Sequence, residues 1–143
     1  MRGGYVGHGE TYIFAADETL DDAKLWWSHG GVLHGDSPAR IAFLSRIMSE
    51  IPKGKGLQQD TSYWDAVAAT TDVEKKQFLL YYFTYLRPFY RDIYIDDLTE
   101  YEVDIIDTWN MTIKPQGTYR GKFRVILGGK PYMAIRMRAK TEE

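Results

Sequence analysis

The chain has 143 residues, 44% of them hydrophobic, with 18 Lys and Arg against 20 Asp and Glu and a formal net charge of −2. That length suits one domain, or one and a fraction, and the balanced charge gives no general reason to expect nucleic acid or an anionic membrane as a partner. The absence of Cys excludes disulfides, thiolate metal sites and a Cys nucleophile, and no apolar run approaches the roughly 18–20 residues that span a bilayer.

The N-terminus, Met1-Arg2-Gly3-Gly4, has no apolar core of a signal peptide, which favours a cytoplasmic location. Residues 1–35 hold seven of the 13 glycines, all three histidines and the Trp26-Trp27 pair. Gly3 to Tyr12 reads as a strand ending in a loop, and on an extended backbone Val6, His8, Glu10 and Tyr12 share one face. Asp21 to Trp27 is expected to form a short helix ended by Gly30-Gly31. A stronger helix follows: Asp36 or Ser37 caps it, Pro38 fits the first helical position, and Ile41, Leu44, Ile47 or Met48, and Ile51 recur at helical spacing before Pro52 stops it.

Residues 53–75 read as a connector with one helical turn around Trp64–Val67. From Gln77 onward the pattern is that of strands. Phe78 to Leu86 is nearly all apolar or aromatic, Tyr101 to Ile105 and Trp109 to Lys114 alternate, and Tyr119 to Leu127 and Tyr132 to Arg138 follow. Pro115-Gln116-Gly117 and Gly128-Gly129-Lys130-Pro131 have the composition of turns. The fold class expected is therefore mainly β, an antiparallel β-sandwich.

The charges segregate. Asp92, Asp96, Asp97, Glu100, Glu102, Asp104 and Asp107 crowd one stretch, and the basic residues from Lys114 to Lys140 follow with no acid between them. Acidic and basic strands pairing across a solvated sheet face explain this better than a phosphate-binding surface, so no nucleic-acid partner is expected. The eight aromatics between Phe78 and Tyr94 are expected mainly to pack a core, with Tyr90 and Tyr94 available to an interface.

His8, His29 and His34 with Glu10 invite a metal, but no pair has the spacing of a helical zinc motif, and no metal or other cofactor is expected. Ser28 and Ser37 lie in no nucleophile-elbow pattern. His8 and Glu10 beside Trp26, Trp27 and His34 instead suggest a polar pocket with an aromatic wall, suited to a polyhydroxylated ligand. Structural loops packed by tryptophan account for the same composition.

The stretch GGYVGHGETY, followed by LWWSHGGVLHGDSPARIAFLSRI, closely resembles a segment of bacterial glycoside hydrolases that have an apiosidase-like (DUF4038) barrel and a small C-terminal β-domain of the DUF5605 type. The segments EYEVDIIDTWNMTI and GKFRVILGGKPYMAIRMR resemble that β-domain. Against the family pattern, His29 stands in place of Lys and Asp36 in place of Glu. The resemblance implies that residues 1–55 are the last strand and helix of a (β/α)8 barrel, 56–75 a connector and 76–143 the sandwich. His8 and Glu10 would then sit at the C-terminal end of a barrel strand, where such barrels assemble their sites, with Trp26, Trp27 and His34 lining the following loop. Glycosidases use two carboxylates across the scissile bond. The resemblance places those on earlier strands, so no catalytic residue is expected here and the five residues are sugar-binding candidates. One strand and one helix cannot close a barrel. The chain then reads as a C-terminal fragment, inactive alone, whose partners are carbohydrate and either the barrel or a second copy. A stand-alone carbohydrate-binding or protein-interaction module is the alternative.

Overall fold

The computed structural model describes residues 36–53, 56–71, 76–95 and 98–140. The described residues before Glu50 belong to one compact unit and those from Glu50 onward to another. In the first, helix α1 spans Ser37–Ser49. The Arg40 amide donates to the Asp36 carbonyl at 3.0 Å, so Asp36 is the cap residue and Pro38 occupies the second helical position, where no amide partner is required. Arg46 in the last turn faces the negative end of the helix dipole and lies 5.1 Å from the Phe43 ring. No described helix is long and apolar enough to cross a membrane.

The second unit is all antiparallel. Its strands are β1 Gln58–Asp60, β2 Val67–Thr70, β3 Phe78–Tyr82, β4 Tyr90–Tyr94, β5 Tyr101–Asp107, β6 Thr112–Tyr119, β7 Lys122–Ile126 and β8 Met133–Ala139. Six form a sheet in the order β1-β2-β3-β8-β5-β6, and β4 pairs with β7 in a second sheet. The chain crosses between the sheets at β3–β4, β4–β5, β6–β7 and β7–β8. Leu79, Tyr81, Val103, Ile105, Ile135 and Met137 from the large sheet, Ile93 and Val125 from the small one, and Leu127 just after β7 make a common core. The expected mainly β, antiparallel sandwich is therefore present.

Three local expectations are corrected. The stretch read as a connector with a helical turn contains β1 and β2, and Trp64–Ala66 is a bend rather than a helix. Val67-Ala68-Ala69-Thr70 shows no alternation because Ala68, Ala69 and Thr70 are all buried, on both faces of the sheet. Pro115-Gln116-Gly117 is no turn but lies inside β6, where the register skips from Val103↔Gly117 to Asp104↔Pro115 and leaves Gln116 as a bulge. An edge strand tolerates a proline without a donor, Gly117 takes φ 116°, and the Tyr119 hydroxyl donates to the Gln116 carbonyl at 3.1 Å. The reversal between β5 and β6 falls instead at Thr108–Met111. Finally, Tyr119 to Leu127 is not one strand: Gly121, at φ 62°, breaks it and sends β7 to the other sheet. Tyr119 and Phe123, now in different sheets, still meet, stacked with centroids 4.7 Å apart.

The large sheet is not solvated on its second face either. Ala69, Phe78, Leu80, Ile106 and Ala134 are buried there, and so are Asp104 and Arg136. Acidic and basic strands do pair as expected, with Glu102↔Arg138 and Asp104↔Arg136 directly opposite in register. They do so in a buried setting at Asp104–Arg136.

Candidate functional site

The five sugar-binding candidates, His8, Glu10, Trp26, Trp27 and His34, lie outside the described residues. Among the described residues no group of three or more His, Asp or Glu could hold a metal ion. Two regions of the sandwich bring together side chains with binding chemistry.

The first is a cleft of about 450 Å³ lined by Tyr63, Asp65 and all five residues of β4. Period-two alternation divides β4: Ile93 enters the core, whereas Tyr90, Asp92 and Tyr94 share the outer face. Opposite them on β7 stand Ile126, Arg124 and Lys122 in register. Arg124 grips Asp92 with two bonds, Nε to Oδ1 at 2.6 Å and Nη2 to Oδ2 at 2.8 Å. That fork holds the Asp92 carboxyl below the usual carboxylate range and raises the Arg124 guanidinium above its own. The same guanidinium lies 3.9 Å from the centre of the Tyr90 ring, and the Lys122 ammonium 5.1 Å from that of Tyr94.

On the opposite face of β4, Arg91 pairs with Asp65 and its guanidinium lies 5.3 Å from the Tyr63 ring centre. Tyr63 meets Tyr81 edge-on at 5.1 Å, and the Tyr81 hydroxyl donates to that of Tyr63 at 3.4 Å. Burial, followed by that hydrogen bond, pushes the Tyr81 hydroxyl far above its ordinary range. It is a neutral structural group. With both carboxylates ion-paired, the cleft has fixed acceptors and fixed donors.

The second region is one end of the sandwich, where the β3–β4, β5–β6 and β7–β8 loops meet. Backbone bonds stitch them together: Tyr132 N to Thr84 O at 2.6 Å, Thr108 N to Tyr132 O at 3.1 Å, and Leu127 N to Phe89 O at 2.8 Å. Trp109 and Tyr132 stack with centroids 5.7 Å apart, and Tyr85 and Phe89 are exposed on the neighbouring loop. Thr84, Met111 and Tyr132 all hold positive φ, at 53°, 54° and 60°. Three strained non-glycine residues in three touching loops mark a surface whose shape is over-determined by its surroundings. Asp107 anchors the β5–β6 turn by accepting from the Asn110 amide and side chain at 2.9 and 2.8 Å. Burial pushes its carboxyl up, but those bonds and Lys130 outweigh this and hold it below the usual range.

Sequence reasoning missed β4 as a strand. The signal was present in Tyr90-Arg91-Asp92-Ile93-Tyr94, whose odd and even positions differ in character, but it lay in the shadow of the aromatic run before it. Of the eight aromatics, Phe78, Tyr81 and Phe83 are buried as a core would have them, Tyr90 and Tyr94, read as available to an interface, are exposed, and Tyr85 and Phe89 are exposed against the packing expectation.

The fold is shared with known structures. A protein described as a "putative glycoside hydrolase" from Bacteroides vulgatus matches with a TM-score of 0.61 and 20% identity, over 85% of this chain and 27% of its own. A second, described as "Glycoside hydrolase", matches with a TM-score of 0.52 and 12% identity, over 92% of this chain and 31% of its own. The chain thus spans less than a third of the length of either. No curated protein matches it. A family model, "Domain of unknown function (DUF5605)", matches residues 64–138, which run from the bend before β2 almost to the end of β8 and make up just over half of the 143 residues. By that match, the chain belongs to the DUF5605 family.

Proposed function

We propose that this chain is the C-terminal part of a glycoside hydrolase, with an accessory β-sandwich as its main body. The observation that carries the reading is the disparity of lengths: 85% of this chain matches 27% of a much longer protein described as a glycoside hydrolase. On this reading residues 1–55 supply the terminal strand and helix of a (β/α)8 barrel, and the sandwich begins with β1 rather than at residue 76. His8, Glu10, Trp26, Trp27 and His34 contact sugar, and the two carboxylates that cleave the glycosidic bond belong to other segments of the longer protein. The partners are then carbohydrate and the barrel, and the chain by itself hydrolyses nothing.

The test is the gene upstream of Met1. An in-frame extension encoding a barrel, whose polypeptide releases sugar from plant oligosaccharides while the 143-residue chain does not, supports the reading. A ribosome-binding site directly upstream of Met1, or hydrolysis by the 143-residue chain, overturns it. A second reading, a stand-alone carbohydrate-binding or protein-interaction module, is favoured by the exposed aromatics of the loop end.

A further inference from the structure

We propose that the cleft along β4 is a glycan-binding site for an extended, uncharged chain of pyranose rings, with Tyr90 and Tyr94 as its two aromatic contacts and the Asp92–Arg124 pair as the hydrogen-bonding group between them. The choice of carbohydrate as ligand class rests on the glycoside-hydrolase reading; the site itself rests on geometry.

Four observations converge on it. Tyr90 and Tyr94, 49% and 64% exposed, project from the same face of β4. Four residues of extended chain separate their Cα atoms by about 13 Å, the span of a short oligosaccharide rather than of one ring. Exposed tyrosines normally stay mobile, but these two are held by Arg124 and Lys122 against their rings, so little rotamer freedom remains to be lost on binding. Midway between them, Asp92 offers carboxylate lone pairs and Arg124 offers guanidinium donors. Each pairs with the other through one edge and keeps further capacity for vicinal hydroxyls, which both donate and accept.

Charge decides among ligand classes. Asp65 and Asp92 are interleaved with Arg91 and Arg124 as ion pairs, so the wall is polar with little net field. Two carboxylates lining the groove disfavour phosphate and nucleic acid, and the mainly polar lining of this cleft disfavours a lipid tail. Rings with a C–H face and many hydroxyls match what is left.

The 143-residue chain is run in native gels containing arabinoxylan, mixed-linkage β-glucan or polygalacturonate, beside Tyr90→Ala, Tyr94→Ala, the double variant and Trp27→Ala. Retardation by a neutral polysaccharide, weakened at least tenfold by each tyrosine variant and absent in the double variant, is the expected result. The variants alter exposed positions, and an unchanged thermal midpoint shows that they remain folded. Tyr94→Phe, which keeps the ring, restores most of the binding. Retardation by polygalacturonate alone, retardation indifferent to both tyrosines, or none with any polysaccharide overturns the proposal. Binding lost in Trp27→Ala and kept in the double variant overturns it while leaving the glycoside-hydrolase reading intact. That reading is decided separately, by sugar release from the longer polypeptide.

Discussion

Arg136 and Asp104 face each other across β8 and β5, each only 3% exposed, with Arg136 Nη2 and Nε donating to Asp104 Oδ2 at 2.7 and 3.0 Å. Arg138 Nη2 reaches the same oxygen at 3.1 Å, and both arginines meet Glu50 Oε2, at 2.8 and 2.9 Å. The network therefore ties the residue that opens this unit to its last strand. Removing one partner strands a charge in a dry place. Asp104→Ala is expected to cost about 3–5 kcal/mol, measured by urea unfolding. Replacing both, Asp104→Leu with Arg136→Met, should cost much less than the single change.

Gly128 and Gly129 sit side by side at φ 74° and 71°, yet a methyl group would meet different surroundings. At Gly128 a Cβ finds nothing within 4 Å, whereas at Gly129 it meets the Phe89 ring at 3.1–3.3 Å. Gly128→Ala should lose only the left-handed backbone term, about 1–2 kcal/mol. Gly129→Ala should lose more, and Phe89→Ala in that background should recover part of the difference. Thermal melts of the three variants decide this.

Thr84 carries the reverse strain, a β-branched residue at φ 53°. Thr84→Asn, a residue that tolerates this conformation, should raise stability by about 0.5–1 kcal/mol in chemical denaturation. Its carbonyl bond to Tyr132 is a backbone contact and survives the change.

Arg124 depresses the folded-state pKa of Asp92, and the Asn110 bonds depress that of Asp107. A depressed carboxylate contributes stability that is fully present above its unfolded value, about 3.9, and is lost as pH falls through the folded value. The denaturation midpoint should therefore be flat from neutral pH down to about pH 5 and fall below about pH 4. Asp92→Asn should be less stable at neutral pH and show a shallower acid limb.

Part of the sandwich was legible in sequence through alternation, as in Tyr101-Glu102-Val103, where buried residues flank an exposed one. Legibility failed where both faces are buried, as in Val67–Thr70, and where a bulge imitates a turn, as at Pro115–Gly117. Composition alone cannot tell a proline that ends a strand from one tolerated at a sheet edge, because neighbour order is a tertiary fact. The cleft was half legible. The tyrosines stood out, but the opposition of Asp92 to Arg124, 32 residues apart, depends on a pairing of β4 with β7 that local pattern does not encode.

The two borders of the large sheet are unlike its interior. One is the three-residue strand β1, and the other is β6, bent by Gln116 and lacking an amide at Pro115. Neither offers the long, straight row of free donors and acceptors onto which a foreign strand can be added. Along these two borders, copies of the domain are blunted against fusing edge to edge.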